Sequence, residues 1–197
     1  MILKNLDKLI SNNVVEIKAN ELLCKHSLSC KWVTSLPIPV MSIVENTLDL
    51  TVVYDDLSQY GQKVLGALLP WEKTILLNES FFGSSDQAPS GMENFTIAHE
   101  IGHWILHVNH SCLEQIPLFD LNKEQIICRD GDKDVKEHTA NRFAARILMP
   151  KQMLMEALVA VDISQRSEYR QFADYIGVSR EALHYRLSDL GIVHSWD

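Results

Sequence analysis

The sequence contains no apolar run that approaches the roughly 18 residues needed to cross a lipid bilayer. Residues 1–5 carry none of the features of a secretory signal peptide. The four cysteines form no C-x-x-C pair; they are Cys24, Cys30, Cys112 and Cys128. Without an export signal these cysteines are expected to be reduced thiols. These absences predict a cytoplasmic protein that has no membrane partner.

Basic side chains are also scarce. The chain has 18 lysines and arginines against 26 acidic residues, which gives a formal net charge of -8. A phosphate backbone requires a positive surface, so this balance disfavours a nucleic-acid partner. The remaining composition, 46% hydrophobic and 22% charged over 197 residues, is that of a globular protein. That length provides one good-sized core, or one domain with a small appendage.

Residues 99–103 read His-Glu-Ile-Gly-His, the H-E-x-x-H signature of zinc peptidase helices. Residues four apart lie on the same face of an α-helix, so His99 and His103 can direct their imidazoles at one metal ion. Zinc (Zn2+) is well suited to two imidazoles and a carboxylate with a fourth position open. Glu100 would then be the catalytic residue that takes a proton from the attacking water.

The residues around this motif predict how its helix is held. Ile97, Ile101, Trp104 and Val108 form an apolar stripe that points away from the two histidines. Asn94 is a candidate N-cap for the helix. Gly102 costs a helix roughly 1 kcal/mol relative to alanine. Either the helix tolerates this cost, or the glycine marks the close approach of a neighbouring strand.

Two histidines do not make a tight zinc site, so a third ligand is needed. The metzincin extension requires a glycine at position 106 and a histidine at 109, where this chain has leucine and asparagine. The residues within reach by sequence are Asp120, Glu124, Asp130, Asp132, Asp134, Glu137 and His138, with Cys112 and Cys128 as less favoured alternatives. Glu137 and His138 are preferred because they begin a clearly periodic helix, which holds a ligand more rigidly than a loop does. Asn141, one turn after Glu137, could orient one of the metal ligands without binding the metal itself.

The order of the predicted elements indicates an α+β protein. Helices are predicted over residues 1–28, 40–48, 135–148, 151–161, 169–176 and 179–190, and strands over 50–54, 64–69 and 74–78. Residues 110–134 look irregular and are predicted to form a functional loop. The strand over 74–78 precedes the metal helix and is a candidate edge for binding an extended substrate. The alternative is that it is a plain core strand.

Two stretches of the sequence resemble the ImmA/IrrE-type zinc metallopeptidases. Residues 95–103 read FTIAHEIGH, and residues 137–150 read EHTANRFAARILMP, where the family has E-x-x-A-N-x-F-A-A-x-x-L-M-P. The resemblance to this family extends over roughly residues 40–191. It implies that Glu137 is the third zinc ligand. Many members have a second acidic residue where this chain has Thr139.

The resemblance also implies a fold and a partner. The expected fold is zincin-like, with a small twisted sheet packed on the H-E-x-x-H helix and a helix-turn-helix-like subdomain at the carboxyl end. We predict a peptidase domain over residues 1–150 and a helical subdomain over 151–197. Family members cleave helix-turn-helix transcriptional repressors, which implies a separately encoded repressor as the protein substrate.

Two functional hypotheses follow. The first is a zinc-dependent endopeptidase that uses Glu100, with His107 or His110 as candidates for a second electrophile. In the second, the tail helix with Arg180, His184 and Arg186 makes the protein a regulatory DNA- or protein-binding module, and the zinc is structural.

Overall fold

The computed structural model describes residues 12–29, 33–61, 63–82, 90–110 and 133–192. Within these ranges the chain forms a three-stranded sheet, one short 3₁₀ helix at Ser58–Tyr60 and seven α-helices. The helices are Asn12–Ser29 (α1), Val40–Thr47 (α2), Gly91–Leu106 (α3), Lys133–Leu148 (α4), Lys151–Leu158 (α5), Arg166–Tyr175 (α6) and Arg180–Asp189 (α7). The strands are Thr51–Asp55 (β1), Gly66–Leu69 (β2) and Thr74–Asn78 (β3). The predicted α+β class is confirmed.

The sheet is mixed and has the strand order β1-β3-β2. β1 runs parallel to β3, with Val53 opposite Leu76, while β2 runs antiparallel to β3, with Ala67 opposite Leu76. β3 is therefore the central strand, and four of its five residues are buried. The expectation that residues 74–78 offer a free edge to a substrate is wrong, because both edges of β3 are already hydrogen-bonded. Its alternative, a plain core strand, is confirmed.

The metal helix α3 begins with a capping box. The Ser90 hydroxyl accepts a hydrogen bond from the Glu93 backbone N–H at 3.2 Å, and the Glu93 carboxylate accepts one from the Ser90 N–H at 3.3 Å. Asn94, the predicted cap, lies inside the first turn, so the N-cap prediction is wrong. Its side-chain amide instead donates to the Gly177 carbonyl at 3.1 Å, which ties the start of α3 to the turn between α6 and α7.

Helix α3 lies directly against α4. A Cβ atom at Gly102 would be 3.0 Å from the Ala140 Cα and 3.2 Å from the Phe143 Cβ, distances at which the two helices would have to shift. The predicted close approach at Gly102 is thus confirmed, but the neighbour is a helix and not a strand. Contact this close requires residues with little or no side chain at the crossing point.

The apolar faces of the helices meet in one hydrophobic cluster. The predicted stripe on α3 is part of it, since Ile97 and Ile101 are fully buried and Trp104 nearly so. Residues from α1, α4, α6 and α7 join the same cluster. Side chains from both sides of position 150 contribute to this one cluster. The division into two domains at that position stays a prediction. Within the described ranges, no helix is both long and apolar enough to span a bilayer.

Four charged side chains connect α1, α4 and α7, and the two arginines among them are buried. Arg186 is almost fully buried and donates to the Met149 carbonyl at 3.0 Å and to both Glu16 carboxylate oxygens at 2.9 and 3.2 Å. Arg146 donates to Asp189 at 2.8 Å. Its Nε lies 3.0 Å from Glu16, but the N–H is not aimed at the carboxylate, so this contact is an ion pair without a hydrogen bond. We refer to these residues as the arginine network.

Removing the shared acid of this network should destabilise the fold. Glu16→Ala would leave two buried guanidinium groups short of a counter-charge, and we expect the free energy of unfolding to fall by about 2–4 kcal/mol. Denaturant titration measures this change in the free energy of unfolding. The matched control is Glu21→Ala on the same helix, where the partner Lys18 is exposed and a loss under about 1 kcal/mol is expected. Equal losses for the two variants would contradict the role of the network.

Candidate metal centre

Three donor side chains converge between α3 and α4. His99 and His103 lie one turn apart on α3, and their Nε2 atoms are 3.0 Å from each other. Glu137, from the first half of α4, places one carboxylate oxygen 3.2 Å from His99 Nε2 and the other 3.5 Å from His103 Nε2. Donor atoms of the three residues all lie within 4.8 Å of one another, so this group could hold a metal ion.

The spacing of these donors matches a four-coordinate ion. Metal–ligand distances of about 2.0–2.1 Å in a tetrahedron imply ligand–ligand distances of about 3.3–3.4 Å. The three separations between His99, His103 and Glu137, 3.0, 3.2 and 3.5 Å, bracket that value. Two imidazoles and one carboxylate are also a donor set that zinc accepts. The residues therefore fit the metal ion that the sequence motif implies.

Asn141 sets the orientation of one of these imidazoles. Its side-chain oxygen lies 2.9 Å from His99 Nδ1. A carbonyl oxygen can only accept, so His99 carries its proton on Nδ1 and presents the lone pair of Nε2 to the other donors. This is the contact expected of a residue that positions a ligand.

Glu100 lies beside the donor group and faces a cleft of about 430 Å³. It is 7% exposed, yet it lines the cleft wall together with His99, His103 and Glu137. Burial raises the pKa of the Glu100 carboxyl, and the charges of His99 and His103 oppose that shift. The side chain is thus buried within the protein but open to the space where a substrate would lie.

A further part of the cleft lining is the edge strand β2, which adjoins α3. Gly66 in this strand touches α3 so closely that a Cβ atom there would lie 2.7 Å from the Thr96 side chain and 3.4 Å from the Glu100 carboxylate. The absence of a side chain at Gly66 therefore lets the backbone of β2 lie against Glu100. Within the described residues no strand pairs with the other side of β2.

Electrostatics of the donor group follow from its hydrogen bonds. Contacts from His103 and His99 hold the pKa of Glu137 well below its usual range. Burial lowers the pKa of His107 to about 4, with the charge of His103 adding to the effect. At neutral pH the His107 ring is therefore uncharged, and its Nε2 lies 3.2 Å from the Lys136 carbonyl, to which it can only donate.

The two histidines named as second electrophiles are both engaged elsewhere. His107 lines the cleft, but its Nε2 lies between the Lys136 carbonyl and the Thr139 hydroxyl at 3.2 and 3.0 Å. His110 places Nε2 3.0 Å from the Trp104 carbonyl and does not line the cleft. Neither contact leaves Nε2 directed at the donor group.

Position 138, the alternative third ligand, lies on a different face of α4. Successive residues of an α-helix are rotated by about 100°, so His138 points away when Glu137 points at the histidines. His138 is exposed and is not one of the three converging donors. Thr139 is buried and donates to backbone carbonyls of its own helix, so the missing acid at that position leaves the donor group intact.

The profile of the Peptidase_M78 family, described as the IrrE N-terminal-like domain, matches residues 46–188. The chain belongs to this family. The resemblance predicted from the two sequence motifs is thereby confirmed. The match includes His99, Glu100, His103 and Glu137.

Two individual proteins extend this result. Metallopeptidase ImmA of Bacillus subtilis (strain 168) is 33% identical over 100 residues, which are 50% of this chain and 51% of that protein. The aligned part thus spans about half the length of this curated relative. A Mycobacterium tuberculosis transcriptional regulator has a similar structure, with a TM-score of 0.55 and 18% identity over 90% of this chain and 48% of that one. At this identity the likeness shows the fold alone. Family and relative together support a metallopeptidase.

Some residues of this family member's cleft carry no signal in the sequence. Tyr60 and Lys136 are among the residues that line the cleft, and residues 64–68 line it along and beside the edge strand. None of them belongs to a motif, and Tyr60 lies in a short 3₁₀ helix that is distant from the metal helix along the sequence. The predicted loop at 110–134 falls almost entirely outside the described residues. So do the alternative ligands Cys112, Asp120, Glu124, Cys128, Asp130 and Asp132.

The hydrogen bond from His99 to Asn141 yields a testable prediction. Asn141→Ala should weaken zinc binding about 10- to 100-fold, because His99 loses the acceptor that fixes its tautomer. Asn141→Asp keeps an acceptor and should retain the affinity of the unmodified protein. Titration against a competing chelator measures both.

A suitable control is Asn46→Ala on α2, an exposed helical asparagine outside the cleft. It should leave zinc affinity unchanged. If Asn141→Ala bound zinc as tightly as this control, Asn141 would have no part in positioning His99.

Proposed function

We propose that this protein is a zinc-dependent endopeptidase. The observation that carries the proposal is the convergence of His99, His103 and Glu137 at 3.0–3.5 Å, with Glu100 beside them in the same cleft. His99, His103 and Glu137 would hold the ion. When bound, zinc supplies a Lewis acid that polarises a peptide carbonyl and lowers the pKa of a water from about 15.7 to about 7.

Glu100 performs the proton transfers in this proposal. Its carboxylate accepts the proton of the attacking water and later passes it to the nitrogen of the leaving amine. Both transfers occur on one side of the scissile bond, which suits a single carboxylate that lines the cleft next to the metal ligands. Burial raises the pKa of Glu100, and a raised pKa brings a carboxyl closer to the value at which it both accepts and releases a proton near neutral pH.

The free edge of β2 would hold the substrate. An extended peptide can add to an exposed strand through main-chain hydrogen bonds. Among the described strands, β2 is the one that has a free edge and borders the cleft. Residues from Val64 to Leu68 line the cleft. Close approach of Gly66 to Glu100 would bring the peptide carbonyl within reach of the carboxylate.

For the substrate we propose a helix-turn-helix transcriptional repressor encoded separately, and for the compartment the cytoplasm. Support for the repressor comes from the ImmA/IrrE resemblance of residues 95–103 and 137–150. An open cleft with a strand edge requires an extended segment, so a linker or an unfolded stretch of such a repressor would be the part that is cleaved.

The alternative, a nucleic-acid-binding tail, is less well supported. Arg186, counted among the candidate DNA contacts, is 1% exposed and is bound within the arginine network. The remaining exposed side chains of α7 include Glu181 and Asp189 beside Arg180 and His184. Such a mixed surface offers little attraction to a phosphate backbone. We therefore propose that α6 and α7 form a packing unit that supports α3 and α4.

Loss of the proposed base should abolish cleavage while leaving the metal bound. Zinc-loaded Glu100→Gln is expected to cleave a library of proteome-derived peptides about 10²- to 10⁴-fold more slowly, with an unchanged zinc content. Mass spectrometry of the products and metal analysis of the protein provide the two readouts. Glu45→Gln, an exposed glutamate on α2, is the control and should retain full activity. Full activity of the Glu100 variant with zinc bound would refute the mechanism.

A DNA titration separates the two functions. At low salt, we expect duplex DNA to bind the protein weakly and without sequence preference, because the exposed face of α7 has no cluster of positive charge. Electrophoretic mobility shift over a panel of duplexes measures this. A tight, sequence-selective complex would favour the binding module over the packing unit.

A further inference from the structure

Helix α4 presents two different faces to two different cavities. Glu137 and Asn141, one turn apart, line the cleft that contains His99, Glu100 and His103, which we call the metal cleft. His138, Arg142 and Ala145 follow the same helical spacing one residue later, and they line a second cavity between α4 and α7. Because adjacent helix residues are about 100° apart, the two faces are neighbours on one helix surface.

The second cavity is a groove of about 570 Å³. Its wall on α7 includes Ala182 and Tyr185, and Tyr185 is 73% exposed. Phe95 of α3 and Asn141 of α4 line both this groove and the metal cleft. The two cavities are therefore adjacent beside the metal ligands, with Phe95 and Asn141 at their common border.

The positive charges along this groove are not equivalent. Arg146 and Arg186 are buried and already paired with Glu16 and Asp189. Arg142 is half-buried, and among the described residues its guanidinium has neither an ion pair nor a hydrogen bond. Arg142 thus brings a positive charge next to the proposed catalytic cleft, and within the described ranges no counter-charge pairs with it, in a protein whose net charge is -8.

Other titratable groups in the groove do not neutralise Arg142. His138 precedes it by one turn on the same face and is exposed. Glu181 stands on the α7 wall and is also exposed, but it forms no ion pair with Arg142. The groove therefore carries separate single charges rather than a broad patch, which suits the recognition of one side chain at one position.

We propose that the groove between α4 and α7 binds substrate residues on one side of the scissile bond, and that Arg142 selects an acidic side chain there. This inference rests on the proposed peptidase function. Arg142 follows Glu137 by five positions, which is a rise of about 7.5 Å along the helix and a rotation of about 140° around it. An extended chain covers the rise alone in about two to three residues, and the rotation lengthens the path, so the selected position lies at least about two to three residues from the cleaved bond. Phe95 and Tyr185 would contact apolar neighbours of that acid.

Peptide-library cleavage tests the selection directly. The zinc-loaded protein is incubated with proteome-derived peptides, and mass spectrometry reads residue frequencies around each cleavage site. We expect aspartate and glutamate to be enriched at one fixed position, at least about two to three residues from the cleaved bond. The enrichment should disappear in Arg142→Gln and change to lysine and arginine in Arg142→Glu. Arg170→Gln, an exposed arginine on α6 outside the groove, should keep the original profile.

The outcomes of this experiment separate the two proposals. Cleavage with one identical profile in all four proteins would overturn the role of Arg142 and leave the peptidase function standing. No cleavage by the unmodified protein would overturn both. A requirement for a free carboxyl terminus at constant distance, lost on peptide amidation, would show that Arg142 reads a terminal carboxylate and not an acidic side chain, which also contradicts the proposal.

A binding measurement provides a readout that does not depend on turnover. In the Glu100→Gln background, a fluorescent peptide taken from the library with glutamate at the selected position is compared with the same peptide carrying glutamine. We expect the glutamine peptide to bind about 3- to 10-fold more weakly. The difference should vanish when Arg142→Gln is added, while thermal unfolding of both variants stays unchanged. Equal binding of the two peptides without that substitution would refute the proposal.

Discussion

The contact between α3 and α4 is the constraint on which the candidate active centre depends. The motif on α3 supplies two histidines at the correct spacing, but the third donor comes from α4. Gly102 and Ala140 bring the two backbones so close that a single added Cβ would lie 3.0 Å from the opposite helix. At this separation the Glu137 carboxylate reaches both His99 and His103. A packing requirement and a chemical requirement therefore converge on one crossing point.

Elements distant in the sequence hold α4 at this crossing. The arginine network joins it to α1 through Glu16 and to α7 through Asp189. On the other side, Asn94 links the start of α3 to the turn before α7. Buried charges contribute little net stability by comparison with apolar packing, but they penalise misplacement strongly. Their arrangement suits a structure in which the relative position of two helices must be kept within tenths of an ångström.

The same helix α4 also relates the metal cleft to its neighbour. One face carries the metal donor and the residue that orients His99. The adjacent face carries the Arg142 guanidinium, which pairs with no acid in the part of the chain that the structure describes, in an adjacent groove. Chemistry and substrate choice would then be built on one rigid element, so that the distance between the cleaved bond and the recognised side chain is set by helix geometry. The edge of β2, lying against Glu100 through Gly66, would supply a further part of the same substrate path.

The sequence by itself determined the local features of this protein. Helical periodicity located α3 and α4, and the i, i+4 spacing of His99 and His103 with Glu100 between them predicted a metal centre, since both patterns depend only on helix geometry. The family followed from two motifs in order. Local patterns failed where the deciding contact was distant. Asn94 has the chemistry of a cap but pairs with Gly177, and β3 has the pattern of any strand but lies at the centre of the sheet. Which of Glu137 and His138 faces the histidines, which strand borders the cleft, and where Arg142 points were decided by tertiary structure, because each depends on how one element is rotated against another that is far away along the chain.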